Sequence, residues 1–207
     1  MRPKLSIVDY GMGNIFSIKC ALDSVNINSI FTNNIEEIKK TDGIILPGVG
    51  AFPEAIKRLK KNKIPNIIEE FHKKNKLIIG ICLGMQLLFE TSYELKKNTG
   101  LSLIKGEVVK FKKNYMNVGW SEIDIAQQNS QKESLLTNDL NKKHMYFIHS
   151  YHSIPKDKNM ISSTSNFHRE KFVSSIKSQN LFTFQFHPEK SGRNGMKIYK
   201  EIEKKLI

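Results

Sequence analysis

The first 95 residues alternate between short apolar runs and longer stretches with helical spacing of apolar positions. Four apolar runs have the length of buried strands, namely residues 4–11, 28–33, 42–52 (a strand that continues into a glycine-rich loop) and 77–81. Three segments have helical spacing, namely residues 14–25, 53–75 with a break at Pro65, and Met85–Leu95. Strands that alternate with helices predict a parallel sheet with helices on both faces.

The pattern changes after residue 100, where short apolar segments are separated by turns. Six such segments predict strands, namely residues 106–111, 118–125, 144–152, 161–166, 171–179 and 181–188. We expect them to add antiparallel strands at the edge of the sheet. Residues 192–207 predict a closing amphipathic helix, and the polar stretch Ala126–Lys143 predicts a loop. Without an internal repeat or linker, the sequence predicts one α/β domain over residues 1–207.

Composition narrows the class of protein. Of the 207 residues, 39% are hydrophobic, which indicates a globular chain. No apolar run reaches the length of a membrane span, and the N-terminus lacks the apolar core of a signal peptide. Cys20 and Cys82 are too few for a disulfide framework, so we expect a cytoplasmic protein without a membrane partner.

The formal net charge of +13 first suggests a nucleic-acid partner. However, only four of the 33 basic residues are arginine, the side chain that most often reads bases. The lysines are spread along the chain, mostly on the polar faces of predicted helices, and no basic stretch is interleaved with aromatic residues. We therefore interpret the charge as a solvated surface and expect no nucleic-acid partner.

The stretch "LIIGICLGMQLLFE" places Cys82 between Gly80 and Gly84, where a predicted strand meets a predicted helix. This G-x-C-x-G spacing is that of a nucleophile elbow, in which a sharp turn leaves no room for neighbouring Cβ atoms. Glycine also tolerates strained dihedral angles, and the following helix start would favour a thiolate. A buried structural cysteine is the alternative interpretation, and the elbow alone does not decide between them.

Two further segments supply what a cysteine nucleophile needs. In "FTFQFHPEKS", His187 and Glu189 are two residues apart at the end of an apolar strand, so an extended backbone would place them on one face. A histidine held by a carboxylate is the base and orienting group of a catalytic triad. In "LPGVGAF", Gly48 and Gly50 allow backbone N–H groups to point into a site, as an oxyanion requires.

Four motifs occur in order along the chain, namely "DYGMGN", "PGVGAF", "GICLGMQLL" and "QFHPEKS". Together they resemble the class I, triad-type glutamine amidotransferases, and more narrowly the glutaminase subunits of imidazole glycerol phosphate synthases. The resemblance implies a flavodoxin-like α/β fold. It also implies that glutamine is hydrolysed and that the ammonia passes to a synthase.

The resemblance assigns roles to individual residues. Cys82 would attack the glutamine carboxamide, His187 would transfer protons, and Glu189 would orient His187. The backbone N–H of Leu83 and the loop Gly48–Val49–Gly50 would hold the oxyanion. Family positions that hold glutamine correspond to Gly50, Gln86, Glu94, His149, Ser150 and Tyr151. Gln86 and Glu94, eight residues apart on the predicted helix, would share a face.

The resemblance also implies a partner, a (β/α)8-barrel cyclase that forms a heterodimer with this chain. The contact face would carry Asn14, Val49, Trp120, Tyr146 and Lys190, although Trp120 as a core residue is an alternative. The family implies no cofactor, and the histidines and carboxylates show no metal-ligand spacing. We assign no chemistry to His72, His144, His152 or His168, and we expect Cys20 to be packed.

One segment departs from the family pattern. Where the family usually shows Pro-His-Met-Gly-Trp-Asn, this chain has Met116–Asn117–Val118–Gly119–Trp120–Ser121. The resemblance implies that this segment lies near the contact surface and the glutamine site. The departure leaves the triad intact but opens the question of which synthase receives the ammonia. Three alternatives remain, namely a glutaminase for surface-sugar amidation, a catalytically silent regulatory subunit, and a stand-alone thiol hydrolase.

Overall fold

The computed structural model describes residues 3–112, 115–126 and 134–206. Its centre is an eight-stranded sheet whose first five strands are parallel neighbours. In spatial order they are β2 (Asn28–Thr32), β1 (Lys4–Val8), β3 (Gly43–Leu46), β4 (Leu77–Ile81) and β14 (Leu181–Phe184). Three antiparallel strands complete the sheet, namely β13 (Glu170–Ser178), β12 (Ile161–Phe167) and β9 (Asp124–Ile125).

Helices cover both faces of this sheet, as the sequence predicts. They are α1 (Ile15–Asp23), α2 (Ile35–Lys39), α3 (Phe52–Lys61), α4 (Ile64–Lys73), α5 (Leu83–Leu87) and α6 (Gly192–Leu206). Alternate strand residues point to opposite faces. Ile7 and Ile45 therefore pack with α1 and α6 in one buried cluster. Ile44 and Leu46 pack with α2, α3 and α4 in the other.

Two smaller sheets stand beside the central one. One has the order β11 (Tyr151–Pro155), β7 (Ile104–Lys110), β5 (Phe89–Ser92) and β6 (Asn98–Thr99). The other is an antiparallel pair of β8 (Asn117–Glu122) with β10 (His144–His149). The prediction that all late strands extend the main sheet is therefore wrong for β7, β8, β10 and β11. It is also wrong for β14, which is parallel to β4 and lies inside the sheet.

The predicted helix Met85–Leu95 is also wrong beyond Leu87, since β5 follows α5 almost at once. The apolar residues that predicted a longer helix are explained by burial of the whole stretch, because residues 83–89 are buried without interruption. The carbonyls of Leu87 and Leu88 accept hydrogen bonds from the N–H groups of Leu101 and Ile104. Backbone partners from a distant segment thus replace those that a longer helix would supply.

The predicted loop Ala126–Lys143 lies partly outside the described residues, at positions 127–133. Its described part is not a simple loop, because Leu135, Leu136 and Leu140 are buried in the core and residues 138–140 form a 3-10 turn. Within the described ranges, no helix is both long and apolar enough to cross a membrane.

Candidate active site

Cys82 occupies the sharp turn between β4 and α5, and its own backbone carries the strain. Its φ is +52° and its ψ is −108°, outside the regions that non-glycine residues usually adopt. The flanking glycines have no positive φ. An added Cβ at Gly84 would lie 1.8 Å from the carbonyl oxygen of Leu46, and one at Gly80 would lie 3.0 Å from Gly84. The glycines therefore serve close approach, and the expectation that they absorb strained dihedral angles is wrong.

The predicted base and its orienting carboxylate lie beside this turn. The Cys82 N–H donates to the Phe184 carbonyl at 2.7 Å, which continues the pairing of β4 with β14. His187 follows three residues later, and its Nδ1 lies 2.7 Å from Oε1 of Glu189. Both side chains are almost fully buried. The contact is made through a 3-10 turn at residues 188–190 rather than along the expected extended strand.

The charges around His187 favour its protonated form. Burial alone would lower the pKa of His187, but the Cys82 thiolate and the Glu189 carboxylate outweigh burial and raise this pKa to about 10. Since Glu189 accepts from Nδ1, the second ring nitrogen is the one available to the thiol. That atom, Nε2, is buried and makes no hydrogen bond of ordinary length within the described residues. The arrangement is a cysteine side chain beside a protonated histidine that a carboxylate orients.

The glycine-rich loop after β3 lies against the start of α5. A Cβ added at Gly48 would lie 2.6 Å from Leu83 Cβ, so this glycine fits only because it has no side chain. Gly50 has φ +110°, which suits glycine, and it packs against Met12. Val49 is 41% exposed. The loop thus packs against Leu83, and Val49 and Gly50 line the same cavity as Cys82.

A cavity of about 280 Å³ opens in front of Cys82. It brings together most of the residues that the sequence predicts for the oxyanion and glutamine sites: Val49, Gly50, Cys82, Leu83, Gln86, Glu94, His149, Ser150 and Tyr151. Gly48 packs behind the loop instead of lining the cavity. Met116 and Ile148 also line it and were missed from the sequence.

Glu94 lines the cavity from a different part of the fold than the predicted helix. It lies two residues beyond β5, not on a helix with Gln86. Its carboxylate accepts a hydrogen bond of 3.0 Å from the backbone N–H of Phe52. Partial burial raises the pKa of Glu94, while this hydrogen bond opposes the rise. Glu94 therefore lines the cavity, but the prediction that it shares a helix face with Gln86 is wrong.

A buried polar network forms the wall between the cavity and the core. Gln86 Nε2 lies 2.9 Å from the Tyr151 carbonyl and 3.0 Å from Gln185 Oε1. His149 Nδ1 lies 2.8 Å from the same carbonyl, and its Nε2 lies 3.1 Å from Asn117 Nδ2. Burial lowers the pKa of His149 to about 3, so its ring is neutral.

Sequence reasoning missed two members of this network. Asn117 belongs to the segment that departs from the family pattern, yet it is buried rather than placed at a contact surface. Gln185 is a fully buried polar residue within the quoted motif "QFHPEKS". A polar side chain flanked by Phe184 and Phe186 is the signal that could have found it.

Three residues of the predicted contact face, Trp120, Tyr146 and Lys190, lie next to one another. Trp120 is 54% exposed, which excludes the core alternative, and its ring lies 5.9 Å from that of Tyr146. Lys190 Nζ lies 5.9 Å from the centre of the same Tyr146 ring. Val49 is exposed, and half-buried Asn14 precedes α1 as its N-cap. Further apolar side chains are also exposed, namely Phe16, Met116 and Val118.

Other expectations have mixed outcomes. Cys20 is exposed, so its predicted packing is wrong, because its position on α1 faces away from the buried residues Ile18 and Leu22. His152 is buried against the Phe111 ring rather than in polar surroundings, and it lies 3.4 Å from Glu170. In the described part of the chain, no three histidine, cysteine or acidic side chains are grouped as metal ligands would be.

Comparison with known proteins identifies the family to which the chain belongs. The family model for class I glutamine amidotransferases matches residues 6–204. Among solved structures, PurLQS from Thermotoga maritima has a TM-score of 0.79 with 19% identity, and each chain is fully covered. A glutamine amidotransferase from the same organism has a TM-score of 0.65 with 17% identity, covering 99% of this chain and 84% of that one. These two similarities show the fold.

The curated relatives are closer in sequence. Imidazole glycerol phosphate synthase subunit HisH from Prochlorococcus marinus is 40% identical, covering 98% of both chains. The subunit of the same name from Lactococcus lactis is 39% identical, covering 95% of this chain and 96% of that one. That from Pyrococcus furiosus is 39% identical, covering 97% and 98%. The chain therefore belongs to the class I glutamine amidotransferases and, among them, to the family of the HisH subunits of imidazole glycerol phosphate synthase.

Proposed function

We propose that this chain hydrolyses glutamine to glutamate and ammonia and supplies the ammonia to the cyclase subunit of an imidazole glycerol phosphate synthase. The observation that carries the proposal is the His187–Glu189 pair buried beside Cys82, which itself lines a cavity of about 280 Å³. Membership of the HisH family supports the identity of the synthase, because the curated relatives bear that name over nearly their whole length.

The first half of the reaction forms a thioester. The Cys82 thiolate attacks the side-chain carbonyl carbon of glutamine, and the electron pair of the C=O bond moves to oxygen. N–H groups of Leu83 and of the Gly48–Val49–Gly50 loop stabilise this oxyanion. His187 donates its Nε2 proton to the leaving nitrogen, the C–N bond breaks, and ammonia departs. The raised pKa of His187 keeps that proton available at neutral pH.

The second half consumes one water molecule. Neutral His187 removes a proton from water, and the resulting hydroxide attacks the thioester carbon. The C–S bond breaks, glutamate leaves, and the thiolate–imidazolium pair is restored. Glu189 holds Nδ1 throughout, so that Nε2 always faces the reacting atoms.

The cavity walls suit the remaining parts of glutamine. The Glu94 carboxylate complements the substrate ammonium group, and backbone groups of Ser150 and Tyr151 supply further polar contacts. Gln86 contributes its side-chain oxygen, because both of its N–H groups are already used within the wall. We assign Gly50 and His149 to the wall that encloses the substrate.

The partner in this proposal is a (β/α)8-barrel cyclase. It would cover the exposed face that carries Val49, Trp120, Tyr146 and Lys190, together with Asn14. Exposed apolar groups with a nearby cation are the composition expected of a partner surface. We place the complex in the cytoplasm, where the free thiols of Cys20 and Cys82 stay reduced.

Substitution of the nucleophile tests the proposal. In the purified complex, Cys82→Ala should abolish glutamine-dependent formation of imidazole glycerol phosphate. Formation from added ammonium salts should survive, because the cyclase uses ammonia directly. Cys20→Ser is the matched control, since Cys20 is exposed on α1 and outside the cavity. Near-normal glutamine hydrolysis by the Cys82→Ala complex would overturn the assignment.

The surface-sugar alternative predicts a different result in cells. A deletion strain without a second copy of this subunit should require histidine if the proposal is right. Growth without histidine, together with altered surface glycans, would favour the alternative. A silent regulatory subunit is disfavoured by the intact triad.

A further inference from the structure

We propose that Gln185 is a further catalytic residue, which donates an N–H hydrogen bond to the Cys82 sulfur and stabilises its thiolate. This inference rests on the proposed role of Cys82 as nucleophile. The Nε2 atom of Gln185 lies 3.6 Å from Sγ of Cys82, within the range of a hydrogen bond to sulfur. Gln185 approaches from the core and does not line the substrate cavity.

The direction of this hydrogen bond follows from one backbone group. The Tyr151 carbonyl can only accept hydrogen bonds, so Gln86 must turn its amide nitrogen toward it. The second N–H of that nitrogen then points to Gln185, which must present its oxygen there. The remaining end of the Gln185 amide is its nitrogen, and that end faces Cys82. A flipped Gln185 would place its nitrogen against the Gln86 nitrogen.

His149 reinforces the same direction. Its Nδ1 also meets the Tyr151 carbonyl, so Nδ1 carries the proton and Nε2 accepts from Asn117. The carbonyl is thereby held by two donors, which fixes the position of Gln86 and, through it, Gln185. All the side chains in this network are buried, so water does not compete for these contacts.

Two polar neighbours of the sulfur, the Ile148 carbonyl and the Gln185 amide, respond oppositely when the thiol loses its proton. The Ile148 carbonyl lies 3.7 Å from Sγ and can accept a hydrogen bond from the thiol. A thiolate has no proton to donate, so this hydrogen bond is lost when the thiol ionises. The hydrogen bond from the Gln185 N–H group becomes stronger instead, because a hydrogen bond to an anion is stronger than one to a neutral atom. Gln185 therefore favours the form of Cys82 that attacks glutamine, in addition to the charge of His187.

The test measures thiolate formation directly. In a Cys20→Ser background Cys82 is the only thiol of the chain, and its alkylation by iodoacetamide can be followed against pH. Gln185→Met, which keeps the length but removes the donor, should shift the midpoint of this profile to higher pH. We expect a shift of about one pH unit, which is a tenfold decrease in the acid dissociation constant of the thiol. Glutaminase kcat should fall by a similar factor at pH values below the midpoint, with KM little changed.

Controls separate this role from packing. Gln179→Met makes the same change in the turn between β13 and β14, away from the site, and should leave the profile unchanged. If Gln185→Met does not fold, the nearly isosteric Gln185→Glu replaces it and should shift the midpoint further, since it places a carboxylate beside the sulfur. A folded variant whose profile matches that of the parent would overturn the inference. That result leaves the role of Cys82 intact, because Cys82→Ala tests it separately.

Discussion

The hydroxyl group of Tyr10 donates a hydrogen bond to the backbone carbonyl of Pro47, directly before the loop that is proposed to hold the oxyanion. A Cβ added at Gly48 would lie 2.9 Å from the same hydroxyl oxygen. Burial raises the pKa of Tyr10, and the charge of Cys82 raises it further, so the phenol remains a donor at neutral pH. Tyr10 thus fixes the peptide plane from which the oxyanion loop continues.

Tyr10→Phe should therefore lower glutaminase kcat with little change in KM. Losing an oxyanion donor outright costs roughly 10²–10³ in rate, so a loosened loop should cost about tenfold. The Pro47 carbonyl would also lose its partner, at a cost of about 1–3 kcal/mol in unfolding free energy. Steady-state kinetics and denaturant unfolding measure the two effects. Tyr93→Phe, at an exposed tyrosine, is the matched control, and equal kcat values for both variants would contradict the role of Tyr10.

Gly84→Ala should prevent the elbow from forming as it does here. The new methyl group would meet the Leu46 carbonyl at 1.8 Å, and a backbone atom in a central strand has no room to move away. We expect a loss of about 3 kcal/mol or more in unfolding free energy, at the upper end for overpacking. Denaturant titration provides the measurement. Gly192→Ala, where nothing lies within 4 Å of an added Cβ, should cost only about 1 kcal/mol for its left-handed backbone.

His149 should make the protein less stable as the pH falls below 6.5. Its pKa drops from 6.5 in the unfolded chain to about 3 in the folded one, because burial disfavours the charged ring. Between these values the unfolded state binds the extra proton, so unfolding free energy should fall by about 1.4 kcal/mol per pH unit. His187, with its raised pKa, is protonated in both states once the pH is about one unit below 6.5, so its contribution is nearly constant from there downward.

Denaturant unfolding at about pH 5.5 and 4.5, where the unfolded histidine is already protonated, measures this slope. His149→Gln should flatten it, whereas His144→Gln, at an exposed histidine, should leave it as in the parent. His152, whose pKa burial also lowers, accounts for a part of the slope that remains in both variants. An unchanged slope in His149→Gln would show that the ring is not neutral in the folded state.

Trp120→Ala should weaken binding of the cyclase without changing the fold of this chain. A half-exposed tryptophan packed edge-on against Tyr146 is typical of a binding hot spot, where truncation costs about 2 kcal/mol or roughly 30-fold in Kd. Titration calorimetry of the two subunits measures the change. Phe31→Ala, at an exposed aromatic residue on edge strand β2, is the control. Equal Kd values for the two variants would place the contact face elsewhere.

The local geometry around Cys82 and around the His187–Glu189 pair was predictable because each depends on local sequence, while the catalytic roles of these residues stay a proposal. The elbow at Cys82 needs glycines at two fixed positions, and the His187–Glu189 contact spans two residues. Four of the five parallel strands, β1 to β4, were also predictable, since they are short apolar runs that alternate with helical segments, whereas β14 was predicted as an antiparallel strand. The assignment of residues 1–207 to one domain stays a prediction.

The cavity wall could not be predicted in the same way. Glu94 is positioned by β5, whose residues pair with residues up to 16 positions later, and the periodicity of apolar residues does not reveal such pairing. Asn117 meets His149 across 32 residues, and Gln86 meets Gln185 across 99. Contacts of this kind depend on tertiary packing. A polar residue within an apolar stretch of sequence can therefore indicate a buried hydrogen-bond network, but it does not identify the other residues in that network.

The hydrogen bond between the Cys82 N–H and the Phe184 carbonyl has a consequence for how such proteins diverge. It joins the ends of the two strands that lead to Cys82 and His187, and it uses backbone atoms only. Exposed side chains of the neighbouring β8–β10 sheet, such as Val118 and Trp120, can therefore be replaced without altering the spacing of Cys82 and His187. The surface proposed to meet the cyclase can thus diverge between relatives while the proposed site of glutamine hydrolysis keeps its geometry.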